Sequence, residues 1–220
     1  MLQKELFLNS EGDSYFQRNR TALKKEEEIH KSYKVYLKYM NPKMKILEIG
    51  CSDGRSLDYY RIEIGCFSYG IDPSEDAIKI GKELYPEIDL SLGTADNLNF
   101  PDDYFDFVIF GFCLYLVDRK LLTKVVYEAD RVLKDSGYIG ITDFDTNIPK
   151  KRPYKHHKDI NSYKCDYSKM FLAFPHYSLI EKINMGSADD PFILDTTQRA
   201  ASVILYKNHE QGYYYEPDQF

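Results

Sequence analysis

The sequence predicts an α/β fold: a doubly wound, seven-stranded, mostly parallel sheet with helices on both faces and an antiparallel C-terminal hairpin. The first observation is that short apolar segments alternate with helical segments between residues 45 and 142, a pattern typical of strand–helix–strand units. The second is a pair of strand-like segments near the C-terminus, whose connection, residues 186–191, is too short for a crossover helix. The length of 220 residues suits one decorated domain.

Each predicted element follows from a local pattern. Strands are predicted at seven apolar segments, residues 45–49, 67–71, 88–92, 105–110, 137–142, 177–185 and 201–207. Helices are predicted at four amphipathic segments, residues 19–40, 55–64, 74–84 and 118–133. Ser74 and Asp118 can cap the last two helices, Asn41-Pro42 ends the first, and Pro86 follows the third.

Three regions flank or interrupt this pattern. Residues 1–43 are interpreted as an N-terminal lid or helical segment, and residues 44–208 as the main domain. Within that domain, residues 146–176 are polar, basic and aromatic, which indicates an insertion at the substrate site. The tail, residues 209–220, is expected to be loosely held.

Composition and charge disfavour several classes of protein. The net charge of −6 and the isoelectric point of about 5.4 disfavour a nucleic-acid substrate, because proteins that bind nucleic acids usually present a basic face. No run approaches the roughly 18 apolar residues that a membrane span needs, and no signal-peptide core is present. The four cysteines form no C-x-x-C pair, so neither a metal site nor a disulfide framework is expected. We expect a cytoplasmic protein, either monomer or homodimer.

The segment ILEIGCSDGRSL, residues 46–57, indicates a ligand site. Gly50 and Gly54 follow the first strand and open a helix, where missing side chains let a ligand approach the backbone and the helix N-terminus. In a doubly wound sheet this edge forms the ligand crevice. Ser52 stands where a dinucleotide fingerprint has its middle glycine, so the loop alone does not identify the cofactor.

Two carboxylates follow the next strands. Asp72, in YGIDPS, can accept hydrogen bonds from both hydroxyls of a ribose, and Asp96, in LGTADNLNF, can accept one from an adenine amino group. Alternatively, Asp72 is a simple helix-entry acid and Asp96 caps a turn. The sequence supports a nucleotide-like cofactor without deciding between these roles.

Four segments in order resemble the class I S-adenosylmethionine-dependent methyltransferases of the type-11 kind: ILEIGCSDG, YGIDPS, GTADNLNFPDDYFDFVIFG and RVLKDSGYIGITDF. The resemblance covers residues 44–145. It implies S-adenosylmethionine as cofactor, S-adenosylhomocysteine as product and an EC 2.1.1 type of activity.

The resemblance also implies roles for particular residues. Glu48 corresponds to an acid near the methionine amino group, and Asp72 to the acid that binds the ribose. The remaining residues expected around the cofactor are Gly50, Cys51, Ser52 and Gly54 in the loop, Pro73, Ser74, Ala95 and Asp96 around the adenine, and Gly111 and Phe112 beside the methionine. Cys51 is expected to be a small buried residue and no nucleophile. Ser52 departs from the more common glycine.

The segment SEGDSYFQRN, residues 10–19, resembles one that precedes the core in methyltransferases of surface-sugar and natural-product pathways. Tyr15 and Arg18 would then belong to a lid over the cofactor. The alternative is ordinary packing of aromatic residues on the sheet edge.

Methyl transfer from a sulfonium is an in-line displacement, in which the protein mainly holds the reacting atoms in line. Candidate bases for a hydroxyl acceptor are Asp143, His156, His157 and His176. Residues 150–171 are locally basic and rich in tyrosine, which favours a phosphorylated or nucleotide-linked acceptor. Together with the resemblance of residues 10–19, this predicts a small, sugar-containing or nucleotide-linked acceptor of glycan or secondary-metabolite biosynthesis. A solvated loop is the alternative for residues 150–171. The alternative functions are methylation of protein or nucleic acid, and a non-catalytic cofactor-binding subunit.

Overall fold

The computed structural model describes residues 2–20, 34–185 and 198–216. The strands in this part of the chain are β1 (Lys45–Ile49), β2 (Phe67–Asp72), β3 (Asp89–Leu92), β4 (Phe105–Gly111), β5 (Leu133–Phe144), β6 (Lys150–Pro153), β7 (Asn161–Lys164), β8 (Tyr177–Asn184) and β9 (Ala200–Lys207). Seven of them form one sheet in the order β3-β2-β1-β4-β5-β9-β8, and β6 pairs with β7 in a separate hairpin. The predicted fold class is confirmed.

The pairing directions place a crevice at one edge of the sheet. Strands β1 to β5 are mutually parallel, whereas β9 pairs antiparallel with both β5 and β8. The chain leaves β1 toward β2 on one side and later returns to β4 on the other. Ligands bind at such a switch point, beyond the carboxyl ends of the strands.

The described helices include α1 (Gln3–Leu6), α2 (Gly12–Asn19), α3 (Arg55–Ile64), α4 (Glu75–Leu84), α5 (Leu122–Val132), α6 (Ser168–Phe171) and α7 (His209–Gly212). A π-helical turn, Phe7–Glu11, joins α1 to α2. Helix α3 lies between two glycines in the left-handed region, Gly54 and Gly65, with φ of 82° and 83°. The Ser74 hydroxyl accepts the Ala77 N–H at 3.0 Å and caps α4, as predicted.

Apolar side chains cover both faces of the sheet. Along β1, Ile46 belongs to one buried cluster and Leu47 to the other, and Phe107 and Val108 of β4 alternate in the same way. This alternation follows from the two-residue period of a strand whose two faces are both covered. None of the described helices is long and apolar enough to cross a membrane.

Some predicted boundaries are wrong. The helix predicted at residues 118–133 begins at Leu122, because the Asp118 carboxylate accepts N–H groups of Gln3 and Lys4 in α1 instead of capping its own helix. Strand β5 begins at Leu133, four residues before the predicted strand.

The flanking regions contain helices and strands that were not predicted from the sequence. Residues 146–176 contain the β6–β7 hairpin and α6. The tail begins with α7, whose Gly212 packs so closely on His176 that a Cβ there would lie 2.5 Å from the His176 Cα. Of the helix predicted at residues 19–40, residues 34–37 are helical, and residues 21–33 lie outside the described part, as does the connection at 186–191.

Candidate functional site

Gly50 lies at the meeting point of three adjoining pockets of about 530, 620 and 440 Å³. The first pocket extends to Asp96, the second to Glu48, and the third to Asp72 and Phe112. The structure therefore brings the predicted loop and the predicted acids together at the carboxyl edge of the sheet.

The glycine loop is shaped by left-handed backbone and close contacts. Gly50 has φ of 77°, and a Cβ there would lie 2.7 Å from the Cys113 Cβ, so no side chain fits. Ser52 also lies in the left-handed region, with φ of 53°. A glycine would adopt this conformation without strain, whereas a serine is strained in it. This difference explains why glycine is the more common residue at this position. Cys51 is 4% exposed, and burial raises the pKa of its thiol well above the ordinary value, so it is an unreactive packing residue.

Asp72 connects the glycine loop to α4. One carboxylate oxygen accepts the Ser52 N–H and the other the Ser74 N–H, both at 2.9 Å. Burial raises the pKa of Asp72 to about 6. A carboxylate has about four lone-pair sites, so each oxygen retains capacity for one further hydrogen bond. This geometry is compatible with the predicted contact to two ribose hydroxyls.

Asp96 is 2% exposed and already paired. Its Oδ1 accepts the Thr94 hydroxyl at 2.8 Å, and its Oδ2 lies 2.7 Å from the Lys4 Nζ. Burial alone would raise the pKa of Asp96, but the hydrogen bonds from Lys4 and Thr94 hold it below the ordinary value. Pro73 and Ala95 line the same pocket, as expected for residues flanking an adenine. Lys4 belongs to no sequence motif, so its contact with Asp96 was not predicted from the sequence.

Glu48 lies under the floor of the second pocket. It is 6% exposed, accepts a hydrogen bond from the Ser56 hydroxyl, and has a pKa that burial raises to about 8. A Cβ at Gly111 would lie 2.5 Å from the Glu48 Oε1, which is why glycine is needed there. Ser56, the second residue of α3, was not predicted, although its place just after Gly54 is a usable signal.

Comparison with known proteins identifies the family. A family model described as a methyltransferase domain matches residues 47–141, which include the glycine loop, Asp72 and Asp96. An uncharacterized protein of Methanocaldococcus jannaschii is 32% identical over 158 residues, covering 69% of each chain. A demethylmenaquinone methyltransferase of Listeria welshimeri is 31% identical over 158 residues, covering 57% of this chain and 66% of the relative. The chain belongs to the class I S-adenosylmethionine-dependent methyltransferases.

A solved structure shows the same fold. The 1,6-didemethyltoxoflavin-N1-methyltransferase of Burkholderia thailandensis, with bound 1,6-didemethyltoxoflavin and S-adenosylhomocysteine, aligns with a TM-score of 0.72. The identity is 14%, over 93% of this chain and 88% of that chain. S-adenosylmethionine is the cofactor of this methyltransferase. The residues present fit it, since buried carboxylates surround Gly50 and a cationic ligand favours their ionised form.

An aromatic wall, made of Phe112, Tyr115 and Phe144, meets the crevice of the methyltransferase at Phe112, which lines the third pocket. The three rings contact one another edge to face, with centroids 5.1–5.4 Å apart. The Tyr115 hydroxyl lies 3.3 Å from that of Tyr15 in α2. Phe112 and Tyr15 both line the third pocket, so the predicted lid residue Tyr15 faces the crevice.

The N-terminal segment, residues 2–20, lies across the mouth of the crevice. Asp13 accepts the Ser74 hydroxyl at 2.7 Å and the Asp76 N–H at 3.0 Å, which fixes α2 to the start of α4. Arg18 pairs with Glu11 and donates to the Tyr154 hydroxyl at 3.1 Å, so it joins α2 to the insertion rather than reaching toward Gly50. The position of the segment supports the predicted lid, which remains a prediction.

The candidate bases occupy three different places. Asp143 is 1% exposed beside the aromatic wall, accepts the N–H groups of Phe144 and Tyr115, and has a pKa that burial raises to about 7. His156 and His157 lie between β6 and β7, where the ring centroids of His156 and Tyr154 are 5.3 Å apart.

His176 lies at the wrong edge of the sheet for a base. It directly precedes Tyr177, which pairs with Lys207 at the amino end of the parallel strands, opposite the crevice. There its ring stacks on His209 with centroids 4.3 Å apart, and its Nε2 lies 3.4 Å from an Asp130 oxygen. No local pattern predicts this placement, because a histidine next to a strand has no sequence signal for the edge of the sheet that it occupies.

Proposed function

We propose that this methyltransferase transfers the methyl group of S-adenosylmethionine to a small molecule with a flat aromatic ring. The observation that supports the proposal is the aromatic wall at the crevice. Aromatic rings prefer edge-to-face or offset-stacked partners, and each such contact contributes about 1 kcal/mol beyond the burial of area. The demethylmenaquinone and toxoflavin relatives are themselves named for small-molecule acceptors.

The residues of this chain have three roles in the proposal. Asp72 and the glycine loop hold the cofactor, which supplies the methyl group and the sulfur leaving group. Phe112 and Phe144 position the acceptor ring, since alignment of the reacting atoms is the main contribution that a methyltransferase makes. Asp143 accepts the Tyr115 N–H and so fixes the turn Leu114–Leu116, which bears one ring of the wall. A pKa near 7 also suits Asp143 to accept the proton of an acceptor hydroxyl.

The test is a screen of labelled methyl transfer to phenols, fused heteroaromatic compounds, sugar phosphates and nucleotide sugars. We expect transfer to ring compounds, with kcat/KM about tenfold lower in Phe112→Leu and Phe144→Leu. Tyr127→Leu is the matched control, because Tyr127 is 61% exposed on α5. Transfer to sugars alone, with both wall variants fully active, would contradict the proposal. Transfer to peptide or nucleic acid, or cofactor binding with no turnover, would support the other functions considered above.

A phosphorylated or sugar-containing acceptor is the second candidate, supported by the basic β6–β7 hairpin. Lys151, Arg152, Lys155 and Lys158 are exposed there in an otherwise acidic protein. Exposed cations of this kind attract phosphate, and their effect weakens with salt. The double variant Lys151→Gln, Arg152→Gln should then raise KM for phosphorylated acceptors at low salt and leave KM for S-adenosylmethionine unchanged.

A further inference from the structure

We infer that Phe7 is a cofactor-binding residue, whose ring covers the adenosine part of S-adenosylmethionine from the N-terminal side. The inference rests on the predicted roles of Asp72 at the ribose and Asp96 at the adenine, and it does not depend on the acceptor proposed above. Phe7 precedes the part of the chain that the family model matches, residues 47–141, so membership of the family gives it no role.

Phe7 borders both parts of the predicted nucleoside site. It lines the first pocket, which extends to Asp96, and the third pocket, which extends to Asp72. Its carbonyl oxygen accepts the Gly12 N–H inside the π-helical turn, so the backbone is already engaged. Its side chain packs against the buried apolar cluster that includes Ala95, and Ala95 lines the first pocket as well. The ring therefore lies on the crevice side of the turn.

Contacts on both sides of the crevice hold the turn that bears Phe7. Helix α1 donates two backbone N–H groups to the Asp118 carboxylate, which follows β4, and Asp13 of α2 is bonded to the start of α4, which follows β2. Because β1 lies between β2 and β4, the segment passes over the end of β1 and its glycine loop. Gly12 permits a close approach, since a Cβ there would lie 3.0 Å from the Pro73 carbonyl oxygen. The ring is thus held in place before the cofactor binds, which lowers the ordering cost of a contact.

The chemistry of the first pocket also favours Phe7 as the partner of the base. Of the described residues that line this pocket, Phe7 alone is aromatic. A base stacks readily on an aromatic side chain, and removal of such a side chain lowers affinity about tenfold. An adenine held near Asp96 therefore has one aromatic neighbour available, and that neighbour belongs to the N-terminal segment.

The first experiment detects the contact itself by fluorescence. The sequence contains no tryptophan, so a single introduced tryptophan reports on its own surroundings. In Phe7→Trp, we expect titration of the full chain with S-adenosylhomocysteine to cause a saturable loss of tryptophan emission, because an indole in stacking contact with adenine is quenched. Leu8→Trp is the matched control, since Leu8 is the next residue of the same turn, is 39% exposed and lines none of the three pockets. We expect its emission to stay unchanged.

The second experiment measures the contribution of the ring by calorimetry. Phe7→Leu should bind S-adenosylhomocysteine about tenfold more weakly than the wild type. It should bind 5′-methylthioadenosine more weakly by the same factor, because this ligand keeps the adenosine part and lacks the amino acid. Leu8→Ala should stay within about twofold of the wild type for both ligands.

The outcomes separate a contact from an effect on docking. If Phe7→Leu loses affinity but the two tryptophan variants respond alike, the ring only helps to dock the segment, and the inference is overturned. Unchanged affinity of Phe7→Leu for both ligands also overturns it and leaves the cofactor site intact. A loss confined to S-adenosylhomocysteine would place Phe7 beside the methionine part and overturn the assignment to adenosine. If the wild type binds neither ligand, the predicted roles of Asp72 and Asp96 are overturned together with it.

Discussion

Glu48 makes the free enzyme less stable at alkaline pH, and replacing it with glutamine tests this directly. Burial raises the pKa of Glu48 from 4.5 to about 8. A carboxyl group whose folded pKa is raised binds more protons in the folded state than in the unfolded state. Its contribution to the free energy of unfolding is therefore complete below pH 4.5 and is lost as the pH rises through about 8.

The size of this effect follows from the two pKa values. Each pKa unit corresponds to about 1.4 kcal/mol, so the difference between 4.5 and about 8 sets an upper bound of about 5 kcal/mol above pH 8. Glutamine keeps the acceptor for the Ser56 hydroxyl but never ionises. We expect Glu48→Gln to match the wild type within about 1 kcal/mol at pH 5 and to exceed it by at least about 2 kcal/mol at pH 9.

Urea denaturation of the cofactor-free proteins at pH 5, 7 and 9 measures the difference. Glu128→Gln is the control, because Glu128 is also buried but the hydrogen bond from Arg131 lowers its pKa. A lowered pKa reverses the sign, so Glu128→Gln should be less stable than the wild type at pH 7 and 9, and the difference should shrink toward acid pH. The reasoning is refuted if Glu48→Gln is less stable than the wild type at pH 9. It is also refuted if the free energies of unfolding of the two proteins differ by the same amount at every pH.

Three further predictions concern the glycine loop and its partners. Asp72→Ala should keep the fold, by circular dichroism, but lower the affinity for S-adenosylhomocysteine at least about a hundredfold in calorimetry, since it removes two charge-assisted hydrogen bonds. Ser52→Gly should raise the free energy of unfolding by about 1 kcal/mol in urea titrations, because the φ of 53° strains a serine but not a glycine; an unchanged value would show that the strain is relieved elsewhere. Gly50→Ala should abolish cofactor binding, because its Cβ would meet the Cys113 Cβ at 2.7 Å, and retained affinity would mean that the loop moves.

The sequence was sufficient for features that depend on neighbouring residues. Strand β1, the glycine loop and the Ser74 cap are each determined within a few residues, and all are found where they were predicted. Asp118 has the same local signal as Ser74, but its carboxylate is used by Gln3 and Lys4, more than 110 residues away in the chain. A cap of this kind is decided by tertiary packing, which no local pattern records.

The site residues also divide into those with a local sequence signal and those placed by tertiary packing. Asp72 and Asp96 were identified because Asp72 ends β2 and Asp96 lies in the segment that follows β3, and both strands end at the crevice. The partner of Asp96 could not be predicted, since Lys4 reaches it across 92 positions of sequence from a short helix without a motif. The start of β5 was missed because Asp135-Ser136-Gly137 has the composition of a turn, and Ser136 does adopt φ of 64° within the strand.

The position of Gln3 and Lys4 has a practical consequence for handling the protein. Lys4 lines the pocket that contains Asp96, so an affinity tag or linker joined before residue 1 would begin within a few residues of that lining along the chain. A tag placed after Phe220 follows α7 instead, which packs at the opposite edge of the sheet beside His176. Ligand titrations should therefore use protein purified and immobilised through its C-terminus, and crystallisation trials should begin from the same design.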